Sequence, residues 1–159
     1  MKNLIFIIVG LLVLMTCQTK KEVTPAISKI EIVTSKFKVQ EPMKVEYEAT
    51  TRGYYSKITL ENNVVSVSND RNNVEKPQTA NLSSSDKYEI DNLLKNLNPE
   101  SLTTLKGATE KRFYDGAPHA NLKITKNAKS YETEGFDHGF PPKEIEKLVT
   151  KLVSFSEKK

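Results

Sequence analysis

Cysteine occurs once in the 159 residues, at Cys17, and histidine twice, at His119 and His138. A single cysteine excludes a disulfide framework and a cysteine-based zinc site, and its position before the folded part excludes a cysteine nucleophile there. Stability must therefore come from an ordinary hydrophobic core, which a chain of this length can bury. Charge of one sign is not gathered into a block. The net charge is +4, and the lysines are spread along the chain with acids between them. No basic stretch interleaved with aromatics is present, which argues against nucleic acid and for a solvated surface. Internal repeats, heptads and low-complexity tracts are absent too.

Long apolar runs are missing with one exception. Lys2 gives a positive start, Leu4–Leu14 is apolar apart from Gly10, and Leu14-Met15-Thr16-Cys17 leads straight into Gln18-Thr19-Lys20-Lys21-Glu22. This is the three-part layout of a bacterial export signal. The run is too short for a membrane-spanning helix, which needs about 20 apolar residues. Its ending in a cysteine resembles the lipobox of bacterial lipoproteins, although Thr16 stands where Gly, Ala or Ser is commoner. The resemblance implies a signal peptide at 1–16 and cleavage before Cys17, whose thiol and new amine carry acyl chains such as palmitate. It also implies a cell-envelope location, lipid-anchored, at the outer membrane. Residues 17–27, with few apolar side chains and Pro25, read as a tether, and residues 28–159 as a single domain.

Within that domain the hydrophobic period sets the expected elements. Ser28–Thr34 suggests a first short strand, and Met43–Ala49 alternates apolar and charged residues with the period of two of a half-buried strand. Tyr54–Glu61 and Val64–Asn69 form a hairpin about Asn62-Asn63, since Asn tolerates the left-handed geometry of a tight turn. Asp70–Asn81 reads as an exposed loop. Ser83 with Asp86 resembles a capping box, and Ile90, Leu93, Leu94 and Leu97 make a helical stripe that Asn98-Pro99 stops. Leu102 and Leu105 belong to a connector that touches the core, and Glu110–Tyr114 to a short strand. A second hairpin, His119–Thr125 with Ser130–Gly135, closes on Asn127-Ala128. Phe136–Phe140 reads as a loop, and Pro141-Pro142 opens a last helix with the stripe Ile145, Leu148, Val149, Leu152 and Phe155. The fold class is α+β: a mainly antiparallel sheet with two helices on one face, in the order strands, helix, strands, helix.

Three segments carry a wider resemblance. They are Tyr47-Glu48-Ala49-Thr50-Thr51-Arg52-Gly53-Tyr54, the helix after Leu82-Ser83, and Phe136-Asp137-His138-Gly139-Phe140-Pro141-Pro142-Lys143-Glu144. Together they resemble a group of small lipoproteins common in the Bacteroidetes. A strand-turn-strand with glycine before a helix is also similar to small α+β protease inhibitors. Neither resemblance implies a catalytic residue.

Two constellations remain as candidate sites. Arg52, Tyr54 and Tyr55 are candidate binding residues, because tyrosine offers amphipathic contact area at low entropy cost. His119, His138, Asp115 and Asp137 are candidate metal ligands, for zinc or another divalent ion. If the second hairpin closes on Asn127-Ala128, His119 falls opposite Phe136 and the four side chains converge. Asp-Gly-Ala-Pro and Asp-His-Gly are also ordinary turn chemistry, with Asp accepting backbone bonds. Ser83-Ser84-Ser85 lacks a G-x-S-x-G elbow and is explained by helix capping. The expectation is a monomeric, non-enzymatic binding or interaction module, anchored to the membrane, with an envelope protein as partner and no cofactor. The alternative is a small metal-binding or protease-inhibitor-like domain.

Overall fold

The computed structural model describes residues 43–157. The expected signal peptide, Cys17, the tether and the strand in Ser28–Thr34 lie outside the described residues.

Among the described residues, seven strands form one antiparallel sheet ordered β4-β3-β2-β1-β5-β6, with β7 also pairing β5. The strands are β1 (Met43–Thr51), β2 (Tyr54–Glu61), β3 (Val64–Ser68), β4 (Gln78–Asn81), β5 (His119–Lys126), β6 (Lys129–Glu132) and β7 (Phe136–Asp137). Two α-helices, α1 (Ser84–Lys95) and α2 (Glu146–Glu157), and two 3-10 helices, Pro99–Thr104 and Lys111–Tyr114, complete the chain. The architecture is α+β.

The register explains the core. Tyr47 of β1 stands opposite Ile58 of β2 and Leu122 of β5, and Val45 stands opposite Leu60 and Ile124. Residues directly opposite in an antiparallel pair point to the same side, so these side chains share one face, and all are buried. The intervening residues form a polar outer face, where Glu46 lies 2.9 Å from Lys44 and 3.7 Å from Lys57. Helix α2 rests against β2, β3 and α1; of the expected stripe, Ile145, just before the helix, and Leu148, Val149 and Leu152 on it are buried, and Phe155 is partly buried. Helix α1 adds Ile90 to the same cluster.

Both hairpins close where expected. Asn62, Asn63, Asn127 and Ala128 all have positive φ, the geometry of a two-residue primed turn. Ser83 caps α1, its hydroxyl accepting from the Asp86 N–H at 3.0 Å. Four expectations need correction. The loop Asp70–Asn81 ends in a strand, β4, which pairs with β3 although its four side chains are exposed. Glu110–Tyr114 is not a strand: Lys111–Tyr114 is a 3-10 helix, ended by Asp115 in the left-handed region. Phe136–Phe140 is not simply a loop, since Phe136-Asp137 forms β7. The last helix begins at Glu146, one turn beyond the prolines, where Pro142 instead accepts from the Ile145 N–H at 3.1 Å.

The register of the second hairpin also differs from expectation. Lys123 stands opposite Glu132, yet Ala120 stands opposite Phe136, so three steps along β5 are matched by four on the returning chain. The extra residue lies between Thr133 and Phe136, at Gly135 with φ +112°. It behaves as a β-bulge. His119 therefore faces Asp137, not Phe136.

Candidate functional site

The bulge decides where each candidate side chain goes. Ala120 points into the core, so Phe136 opposite it does the same, and both are buried. Asp137 turns to the outer side with His119, and His138 turns back inward. His119 of β5 and His138, just after β7, thus point to opposite faces, and the expected convergence of four ligands does not form.

Each member has its own surroundings. Asp137 is buried completely, covered by the Thr109–Arg112 segment. Its Oδ2 accepts from the Thr109 hydroxyl and from the Lys111 N–H at 2.6 Å. Its Oδ1 accepts from the Arg112 N–H and guanidinium, both at 3.0 Å. Burial alone raises the carboxyl pKa. The Thr109 hydroxyl, the Arg112 N–H and guanidinium, and the Lys111 N–H outweigh it and bring the pKa down to about 2. Asp137 is thus an ionised strut that pins the Lys111–Tyr114 helix to β7. Asp115 ends that helix and is exposed. His119 is exposed, its ring lying over Gly135 so closely that a Cβ there would collide with Nε2. Among the described residues no group of three or more His, Cys, Asp or Glu side chains is placed to share a metal ion.

His138 instead joins a column of rings that runs from the core to the surface. Phe136 and Tyr47 are fully buried with ring centroids 6.3 Å apart. Tyr47 and His138 follow at 6.1 Å, and Tyr54 lies 5.5 Å beyond His138. The Tyr47 hydroxyl is 2.6 Å from His138 Nδ1. Burial, with Tyr54 nearby, pushes the Tyr47 phenol well above its ordinary value, so it keeps its proton. Burial also holds the His138 imidazole below its usual range, against the opposing pull of Glu157. Nδ1 and the phenol share one hydrogen, and the other ring nitrogen is Nε2. That nitrogen faces the Tyr54 hydroxyl at 3.4 Å.

The three binding candidates separate. Arg52 is exposed at the tip of the β1–β2 turn, where Gly53 takes φ +81°. Tyr54 stands at the rim on the same side of the sheet as Tyr47 and His138 and is 39% exposed. Tyr55 faces the outer side, with Arg71 over its ring at 5.9 Å. Arg71 also donates to the Thr50 hydroxyl and to the Thr51 carbonyl, at 2.9 Å for the latter. It thereby ties the β3–β4 loop to the first turn.

Sequence reasoning missed the remaining members of this end. Phe113 and Tyr114 are 72% and 71% exposed and Phe140 is 41% exposed. Lys111 lies 3.9 Å above the Phe140 ring and Arg112 lies 4.3 Å from Phe113. The available signal was two adjacent aromatics with no alternation, immediately before the turn Asp115-Gly116. With Thr50 opposite His119, and His119 opposite Asp137, these rings and Tyr54 crowd one end of the sheet. At the other end, Leu60, Leu82, Ile90 and Leu94 line an opening of about 250 Å³, and Lys87 and Asp91 beside it pair with each other at 2.8 Å. No protein-family model, no curated protein and no solved structure significantly matches this chain.

Proposed function

We propose that the protein is an envelope lipoprotein, lipid-anchored through Cys17 at the outer membrane, which works as a non-enzymatic binding module. Its binding surface is the end of the sheet that carries Arg52, Tyr54, His138 and Phe140. The observation that carries this reading is the exposure of Tyr54, Phe113, Tyr114 and Phe140 together at that end. Large rings left in water and gathered in one place mark an interaction surface, whereas single exposed apolar residues do not. The ionisable groups around them favour binding over catalysis. Asp137 is held by four donors, and His138 is half-buried and hydrogen-bonded to Tyr47.

Both helices, in this reading, lie on the face of the sheet that presents Val45, Tyr47 and Leu122. The shared cluster of Ile90, Leu148 and Leu152 with those residues supports it, as does Lys151 of α2 reaching Asp86 and Glu89 of α1. The outer face beyond the Thr109–Arg112 cover then stays in solvent, and the aromatic end is the surface offered to a partner.

Two measurements test the proposal. Labelled palmitate should appear on the wild type and not on Cys17→Ser, which should leave the membrane fraction. A wild type that stays membrane-bound without label overturns the anchor. A photo-crosslinker at Tyr54 should capture one discrete envelope component in intact cells, and one at Tyr88 should capture none. Equal capture at both positions overturns the binding surface.

A further inference from the structure

We infer that the aromatic end of the sheet docks on a phospholipid surface, the one in which the protein is itself anchored. The inference rests on the anchored binding-module reading and names the partner of its surface. Phe113 and Phe140 carry no polar atom to satisfy, and Lys111 stands over the Phe140 ring at 3.9 Å, while Arg112, 4.3 Å from the Phe113 ring, is held by Asp137. An apolar ring with a cationic neighbour matches the level where acyl chains give way to phosphates. There, aromatic rings settle at the boundary and long basic side chains extend to the headgroups. Tyr54 and Tyr114 add rings with a polar tip, the other residue type that favours this layer. Arg52 supplies a further exposed cation at the same end. The acids there are Asp137, paired with Arg112, the exposed Glu110, Asp115 and Glu134, and Glu157 near His138.

Reach makes a weak patch sufficient. Whatever its conformation, the stretch from Gln18 to Pro42 extends no further than about 90 Å. Met43 enters the sheet at the end away from Tyr54, and the length of β1 separates the two by about 25–30 Å. The rings thus fall within reach of the bilayer that holds Cys17. Confinement at that range replaces free encounter by a high local concentration of lipid surface.

The chain contains no tryptophan, so a single introduced indole reports its own surroundings. Phe113→Trp, Phe140→Trp and, as a control, Tyr88→Trp on α1 are purified as lipidated full chains. They are reconstituted in vesicles of phosphatidylethanolamine and phosphatidylglycerol with brominated acyl chains. Docking predicts a blue-shifted emission and at least twofold quenching for the first two indoles, and neither change for the control. Quenching of Phe113→Trp and Phe140→Trp no greater than that of Tyr88→Trp overturns the inference. So does a blue shift without vesicles that grows with protein concentration, which would make a second copy the partner. If Cys17 carries no label, the same variants are added to vesicles from solution. Quenching confined to positions 113 and 140 then keeps the surface and discards the anchor, and its absence discards the surface.

Discussion

The Tyr47 hydroxyl lies 2.6 Å from Nδ1 of His138, ninety-one positions further along the chain, and joins the buried centre of β1 to the turn after β7. Burial lowers the His138 pKa. Above the unfolded value of about 6.5 both states are neutral and the shift has no effect on stability. As the pH falls from there toward the lower folded value, the unfolded chain binds the proton first, and the fold loses stability. Urea midpoints measured between pH 8 and pH 5 should therefore decline on the acid side in the wild type. The decline should be shallower in His138→Gln. An unchanged slope in that variant would mean that His138 is not the group responsible.

Asp137 should respond at far lower pH and more severely to substitution. Its folded pKa of about 2 lies below the unfolded value, so its contribution is full above about pH 4 and fades as the pH falls from about 4 to about 2. Asp137→Asn leaves the partly buried Arg112 guanidinium without its counter-charge, at a cost of about 3–5 kcal/mol. Asp115→Asn, exposed on the next turn, should cost under about 0.5 kcal/mol. Denaturant melts of the two variants compare them directly, and equal midpoints would remove Asp137 from its structural role.

Helix α2 offers a graded series. Leu148 and Leu152 are 3% and 0% exposed, so truncating either to Ala should cost about 2–5 kcal/mol. Lys147 is exposed, and Lys147→Ala should cost under about 0.5 kcal/mol. Lys151 is different from what its place beside the stripe suggests, for it lies 2.8 Å from Asp86 and 2.5 Å from Glu89 across the helix pair. Lys151→Ala should cost about 1 kcal/mol, a loss that shrinks in high salt. A melting curve for Lys151→Ala that coincides with that of Lys147→Ala at low salt would show that the clasp contributes nothing.

Gly135→Ala should also destabilise, by at least about 1–2 kcal/mol, for two separable reasons. Its φ of +112° is closed to an L side chain, and the new Cβ would meet the His119 ring. Adding His119→Ala relieves the second strain and leaves the first, so the double variant should recover part of the loss. Full recovery would show that the dihedral is unstrained, and a silent Gly135→Ala would show that the bulge is not there.

The strands and helices with a clean period were legible in the sequence. The alternation of Met43–Thr51 and the spacing of Ile145, Leu148, Val149 and Leu152 each state one buried face, and local pattern decides such cases. The paired asparagines marked their turn because few residues accept positive φ twice in succession. The β4 strand was illegible, since Gln78-Thr79-Ala80-Asn81 buries no side chain and is held by backbone pairing to β3 alone. The candidate site was legible in part. Tyr54 and Arg52 were found by residue type at a glycine turn. The partners of Asp137 were not, because Thr109 and Arg112 approach it across more than twenty residues and no local spacing encodes that contact. The split of His119 from His138 turned on one unpaired residue, which period counting cannot detect.

That unpaired residue has a bearing on which changes of chain length the protein tolerates. Side chains on a strand alternate sides, so removing one residue between Thr133 and Phe136 would carry Phe136 to the solvent side and Asp137 toward the core. A charge would replace a ring under Tyr47, and Thr109 and Arg112 would lose their acceptor. The loop from Asp70 to Pro77 carries no such phase, because β4 after it presents no buried side chain whose side must be kept. Variants lengthened or shortened in that loop should fold, provided Arg71 still reaches Thr51. A single deletion at Glu134 should not.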